Sequence, residues 1–264
     1  MSVIAILSYH SVAPCPPDWI APFAVAPAAL ARHLDFVVAG GHAVFTVAEL
    51  ARRLARDEVP TRSVAITFDD GFEDNLSIAA PLLRERALPA TVFVTSGFLT
   101  ARRPAAMLTA EQLVELEAAG VEVGAHGHTH RQLDVLPRAE ARREIRLSKQ
   151  LVESAVGHPI ESFAYPHGYA CGGVEAEVEA AGFRSACGVG NAFSHRQDNR
   201  WRLSRLTVGA ATSDQRVQEW LRGTGARVAP AHEAPRTTAW RTARRLGVAG
   251  GRNMAPVVTV GARV

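Results

Sequence analysis

Four short stretches set acid–base or ligand-type side chains close together: Tyr9-His10 in ILSYHSVAP, Asp69-Asp70 in TFDDG, the histidines of AHGHTH, and His167 in AYPHG. Adjacent carboxylates before a glycine repel one another and lose hydration near a core, so they cost stability unless something compensates. A bound cation offsets both effects, with one carboxylate ligating while the other stays free as a base. A turn at Gly71 can re-aim one of the pair. The plainer alternative is an N-cap and turn residue for the following helix. His126 and His130 are four apart, a spacing that puts two imidazoles side by side on a helical turn and on one face of an extended strand. His128, between them, points away. An exposed histidine-rich loop is the alternative there. Two histidines and one carboxylate leave coordination positions open, as catalytic rather than structural metal sites do. A metal so held activates water and polarises a carbonyl. Asp69 is then a candidate base and a histidine across the site a candidate acid, so the residues imply metal-assisted hydrolysis of a carbonyl compound. The donor set suits Zn2+, with Co2+, Ni2+, Fe2+ or Mn2+ as alternatives.

The elements that position these residues follow from periodicity. Short β-branched and apolar runs (SVIAILSYH, AVF, SVAITF, ATVFVTS, VEVGAH, SFAYP, RSACGVG, WRLSRLTV) predict strands. Between them lie helical patterns: PAALARHLDFVVAGG, TVAELARRLARDE with Thr46 and Glu49 as a capping box, EDNLSIAAPLLRERA, TAEQLVELEAAG capped by Thr109, PRAEARREIRLSKQLVESAVG, GGVEAEVEAAG and SDQRVQEWLRG. This alternation predicts repeated βα units and a parallel sheet, either a (β/α)-type barrel with eight strands or fewer or a doubly wound open sheet. In a barrel all strand C-termini face one rim, so His10, TFDDG, AHGHTH and AYPHG would meet there. From Ala226 the text becomes rich in Pro, Ala and Arg with little periodicity. The expected organisation is therefore a catalytic domain over 1–225 and a basic extension over 226–264, with one helix near TAWRTARRLG or no fixed order.

Composition narrows the class. The chain has 264 residues, is 47% hydrophobic and carries a net charge of +3, without the clustered excess of a nucleic-acid binder. Three scattered cysteines, Cys15, Cys171 and Cys187, argue against a disulfide framework and for a reducing compartment. The N-terminus lacks a signal-peptide pattern and no run is long and apolar enough to span a bilayer, so a cytoplasmic location is expected. The basic extension offers peripheral contact with an anionic membrane face.

Together TFDDG, His126-x3-His130 and AYPHG resemble, in order and over about residues 1–210, the polysaccharide deacetylases of carbohydrate esterase family 4, the NodB-homology domain. The resemblance implies an α/β fold, a distorted (β/α) barrel of seven parallel strands, and removal of N-acetyl groups from amino sugars at a His-His-Asp divalent metal site. By resemblance Asp69 is the base, Asp70, His126 and His130 are the metal ligands, and the peptide N–H near His167 helps hold the oxyanion. Many members carry the acid in a late Leu-x-His motif, which this chain lacks. A subgroup acting on exopolysaccharides opens instead with a Tyr-His strand, which points to His10 as the acid. Two positions depart from the family pattern. Gly127 stands where a Ser or Thr steadies the loop, and Ala164 where an arginine pairs with the base. Arg205 in RLSRL is the candidate replacement, a surface or core-lid salt bridge being the alternative. Tyr165, Pro166 and Trp201 are candidate substrate contacts, or simply packing. A deacylase or deformylase of a small amide, and an inactive carbohydrate-binding homologue, are the competing functions.

Overall fold

The strands are apolar on both faces because both faces are covered. In β1 (Val3–Tyr9), Ala5, Leu7 and Tyr9 pack toward the helices, while Ile4 and Ile6 join Ala65, Phe93, Ala164, Cys187 and Leu203 inside the curl of the sheet. The computed structural model describes residues 3–99 and 106–230. Its strands continue with β2 (Ala43–Phe45), β3 (Ser63–Phe68), β4 (Ala90–Val94), β5 (Val121–Ala125), β6 (Ser162–Ala164), β7 (Ser185–Cys187), β8 (Ala192–His195), β9 (Leu206–Thr207) and β10 (Arg227–Val228). The order is β10-β8-β1-β3-β4-β5-β6-β7, with β2 also on β3 and β9 also on β1. All pairings are parallel except β1 with β8.

The mostly parallel sheet curls into a half-barrel, and one late segment runs from β7 across to β1. Leu203 pairs with Cys187 of β7, and three residues later Leu206 and Thr207 pair with Leu7 and Ser8 of β1. β1, β3–β7 and this segment are the seven parallel strands around the curl. The strand expected over 201–208 is thus only two residues long plus one bridge, because it changes partner midway. β8 was not anticipated from sequence: it lies antiparallel on the first residues of β1 and takes β10 on its other side.

The helices are α1 (Pro27–Ala39), α2 (Val47–Ala55), α3 (Ala80–Glu85), α4 (Ala110–Ala118), α5 (Arg138–Val156), α6 (Gly172–Ala180) and α7 (Asp214–Leu221). Thr46 caps α2 through Glu49 N–H, but the Glu49 carboxylate turns to Arg52 and Arg53, so only half of the expected box forms. The full box belongs to Thr109 and Gln112. The helix expected over EDNLSIAAPLLRERA opens with a π segment, Asn75–Ala79, before α3. Arg227 and Val228, expected in the extension, pair with β8, and the helix expected near 238–247 lies outside the described residues.

Candidate active site

β1, β3, β5 and β6 end on the same rim, and the turns that follow carry the polar residues. β3 alternates, so Ala65, Thr67 and Asp69 share the inner face. Asp69 points inward and meets Arg205, which the bridging segment brings to it. The guanidinium holds the carboxylate with two bonds, Nη1 to Oδ1 at 2.6 Å and Nη2 to Oδ2 at 2.7 Å. Arg205 also donates to Gly188 O (3.0 Å) and Thr67 Oγ1 (3.2 Å), lies over the Phe93 ring and is fully buried. Burial pushes the Asp69 carboxyl up, but Arg205, His126 and His10 outweigh it and hold it below the usual range.

Asp70 diverges from Asp69 because its own backbone is left-handed, φ +73°, and Gly71 follows at +83°. The turn therefore begins one residue earlier than the glycine suggests. Its Oδ1 faces two imidazoles, 3.1 Å from His130 Nε2 and 3.5 Å from His126 Nε2. Donor atoms of Asp70, His126 and His130 all lie within 4.8 Å of one another, and among the described residues no other three such groups converge in this way. His126 Nδ1 donates to Ala164 O at 2.8 Å, since a carbonyl can only accept. The neutral ring then presents an Nε2 lone pair toward a carboxylate oxygen. Burial favours that neutral form, lowering His126 to about 4. Two facing lone pairs repel, and a cation between them removes the repulsion. The residues fit a divalent cation on the chemistry of their donors, with the outer hydrogen bond already made.

The loop between the histidines is steadied without a hydroxyl at position 127. Glu144 of α5 accepts from His128 N (3.1 Å), Thr129 N (2.8 Å) and Thr129 Oγ1 (2.7 Å). Ser96 N and Gly97 N donate to Gly127 O and His128 O. Gly127 has φ +74°, and a Cβ there would sit 3.0 Å from Pro166 Cγ. His128 turns away to Ser96 Oγ, 2.9 Å.

A cleft of about 200 Å³ opens over these groups, lined by His10, Asp69, Asp70, His126, His130 and His167. Ile20, Phe23, Tyr169 and Val189 add walls that sequence reasoning missed, since they come from short turns and loops without periodicity. His10 leans on Phe23, with ring centroids 5.1 Å apart. His167, in a left-handed turn at φ +60°, packs at a tilt against His130, with ring centroids 4.5 Å apart, and reaches His130 O with Nε2. Burial, then His130 and His126, lower it to about 4.

Three expected substrate contacts are elsewhere. Tyr165 is fully buried, packs edge-on against Phe163 and donates its hydroxyl to Trp201 O, because its side chain falls on the helix-facing side of β6. Pro166 is buried beside Gly127. Trp201 packs on the core under the Arg200 guanidinium. None of the three lines the cleft.

A family model described as "Polysaccharide deacetylase" matches residues 56–186, a span that includes β3 to β6 and the turns bearing Asp70, His126 and His130. The chain belongs to the polysaccharide deacetylase family. It is 25% identical over 182 residues to the Bacillus subtilis (strain 168) protein named "Putative polysaccharide deacetylase YxkH", a match covering 69% of this chain and 64% of that relative. The family fold is shared with solved structures. The Streptococcus pyogenes deacetylase PplD, solved in complex with acetate, superposes with a TM-score of 0.75 at 22% identity, over 84% of this chain and 98% of that one. A de-N-acetylase from Aggregatibacter actinomycetemcomitans gives 0.71 at 16% identity, over 83% and 99%. IcaB from Ammonifex degensii gives 0.66 at 21%, over 91% and 97%.

Proposed function

We propose that this protein is a divalent-metal-dependent de-N-acetylase of an amino sugar, carried as a polysaccharide, an oligosaccharide, or a nucleotide- or lipid-linked sugar. The observation that carries the reading is an ionised carboxylate outside the donor set, Asp69 gripped by Arg205, beside three donors, Asp70, His126 and His130, in one cleft with His10. A sugar-binding scaffold has no use for an ionised base held against such a set, which disfavours an inactive homologue.

A cation held by Asp70, His126 and His130, Zn2+ in the first instance, supplies Lewis acidity toward water and an amide carbonyl. Asp69 accepts the proton of the attacking water. Arg205 keeps Asp69 ionised and fixes its plane by the two-point grip, so the carboxylate is ready without rearrangement. His10, across the cleft, donates the proton that the departing amine needs. The turn at His167 is assigned to the acyl oxygen, and the apolar walls at Phe23 and Val189 limit water. That Cys15, Cys171 and Cys187 form no disulfide accords with a cytoplasmic site of action, where nucleotide- and lipid-linked sugars are within reach.

The deciding experiment is acetate release by metal-stripped protein with and without added zinc or cobalt. Its substrates are a chitin-type oligomer, a nucleotide-linked N-acetylhexosamine and a lipid-linked one. Metal-dependent release from any of them supports the reading and names the substrate class. Metal uptake without release from any moves the assignment to a small-molecule amide.

A further inference from the structure

We propose that Asp74 and Asn75 form a positioning clamp that holds His10 at the leaving group through its backbone rather than its ring. The proposal rests on the assignment of His10 as proton donor. A histidine that moves protons is commonly aimed by an acceptor on its second ring nitrogen. His10 has none: Nδ1 is buried without a hydrogen-bond partner, and the ring rests on Phe23.

What is fixed is the main chain on either side of the ring. Asn75 Nδ2 donates to His10 O at 2.9 Å and to Asp74 Oδ1 at 3.0 Å. Ser11 Oγ donates to Asp74 Oδ2 at 2.6 Å, and Val12 N–H donates to the same carboxylate. Asn75 is 1% exposed. Reversing its amide would set Oδ1 against a carbonyl and a carboxylate, so only one orientation works. Asp74 and Asn75 leave the same turn that carries Asp69 and Asp70. At the near side of that turn Asp69 N–H donates to Tyr9 O at 2.9 Å. The acid-bearing end of β1 and the base-bearing end of β3 are therefore tied at two points, one on each side of the reacting groups. The helix that follows opens as a π segment with Ala80 N–H bonded to Asn75 O, an irregularity often found where a helix start serves a site.

The test is a ratio of two hydrolyses, each giving acetate. An acetamido sugar loses an amine that must be protonated, whereas 4-nitrophenyl acetate loses a phenolate that needs no proton. Both use the same base and cation. Asn75→Ala is expected to lower kcat on the acetamide about 10- to 100-fold, with KM and ester turnover within about twofold. Ser11→Ala, a smaller change, shifts the ratio the same way by less. In a His10→Ala background Asn75→Ala adds nothing, because it acts through His10. Equal losses on both substrates in folded protein, an unchanged ratio, or additive loss with His10→Ala overturn the clamp. Thermal melting reports folding, and Ser11→Ala decides the matter if Asn75→Ala does not fold. An unchanged ratio in His10→Ala alone, or ester hydrolysis with no acetamide turnover in the wild type, overturns the acid assignment and the clamp with it.

Discussion

Asp69 and Asp70 are consecutive carboxylates whose environments separate them. Asp69 lies on an inner strand face against a guanidinium, and Asp70 is swung by a left-handed backbone toward two imidazoles. Different proposed roles predict different losses. Asp69→Asn is expected to keep stoichiometric metal and lose about 10²- to 10⁴-fold in turnover, the usual worth of a general base. Asp70→Ala is expected to lose metal. Metal content by elemental analysis beside acetate release checks both, and normal turnover in Asp69→Asn removes the base assignment. Arg205 allows a sharper test, because it is fully buried. Arg205→Lys keeps a charge but not the two-point grip, so turnover falls while the fold survives. Arg205→Ala leaves a buried carboxylate unpaired, which costs about 3–5 kcal/mol of stability. The urea midpoints of the two variants should differ accordingly.

At the scale of elements, the loop from His126 to His130 takes its order from α5. Glu144→Gln weakens the acceptor of three bonds and is expected to lower cobalt affinity by about 10- to 100-fold, as outer-shell changes do, with little change in melting temperature. Cobalt titration followed by absorbance measures it. α5 and α6 meet through Glu177, which accepts from Arg138 (2.6 Å) and Arg142 (2.7 Å). Those bonds, Arg142 first, pull Glu177 down to about 2. A lowered carboxyl stabilises the fold fully above its unfolded value near 4.5 and loses that contribution as pH falls toward 2. Both arginines are well exposed, so the effect is modest, under about 1 kcal/mol. The stability gap between wild type and Glu177→Gln should therefore be present at pH 7 and close between pH 4.5 and 2 in urea melts. Much of this scale was legible in the sequence. Strand ends bearing TFDDG and AHGHTH announce one rim, because parallel strands must end together. Tyr165 misled, since the residue after a three-residue strand points by alternation into the core, while the turn that exposes His167 depends on a positive φ that no periodicity reveals. Arg205 was legible only as a position, because its partner is 136 residues away.

At the scale of the whole molecule, the question is where the folded unit ends. Composition changes at Ala226, which suggested a boundary there, but composition reports what a segment is made of and not what it covers. β10 adds an edge to β8, which itself covers the start of β1. The link is more than two residues of strand. Ala229 N donates to Phe193 O at 2.8 Å, and Ala229 O lies 3.1 Å from His195 Nε2. His195 is 1% exposed, and its other ring nitrogen accepts from Gln197 N, so Nε2 carries the proton and needs an acceptor. A chain ending after Pro230 keeps that acceptor, whereas one ending after Gly225 leaves a buried N–H and a strand carbonyl without partners, at about 1–3 kcal/mol each. The shorter chain is expected to melt several degrees lower than the longer. The site lies at the opposite, C-terminal end of β1 from the β8 pairing, so both chains should take up metal equally while folded. Equal melting temperatures would put the boundary back at 225. Loss of metal uptake in the shorter chain alone would mean that the β8–β10 edge supports the rim as well as the base of the half-barrel.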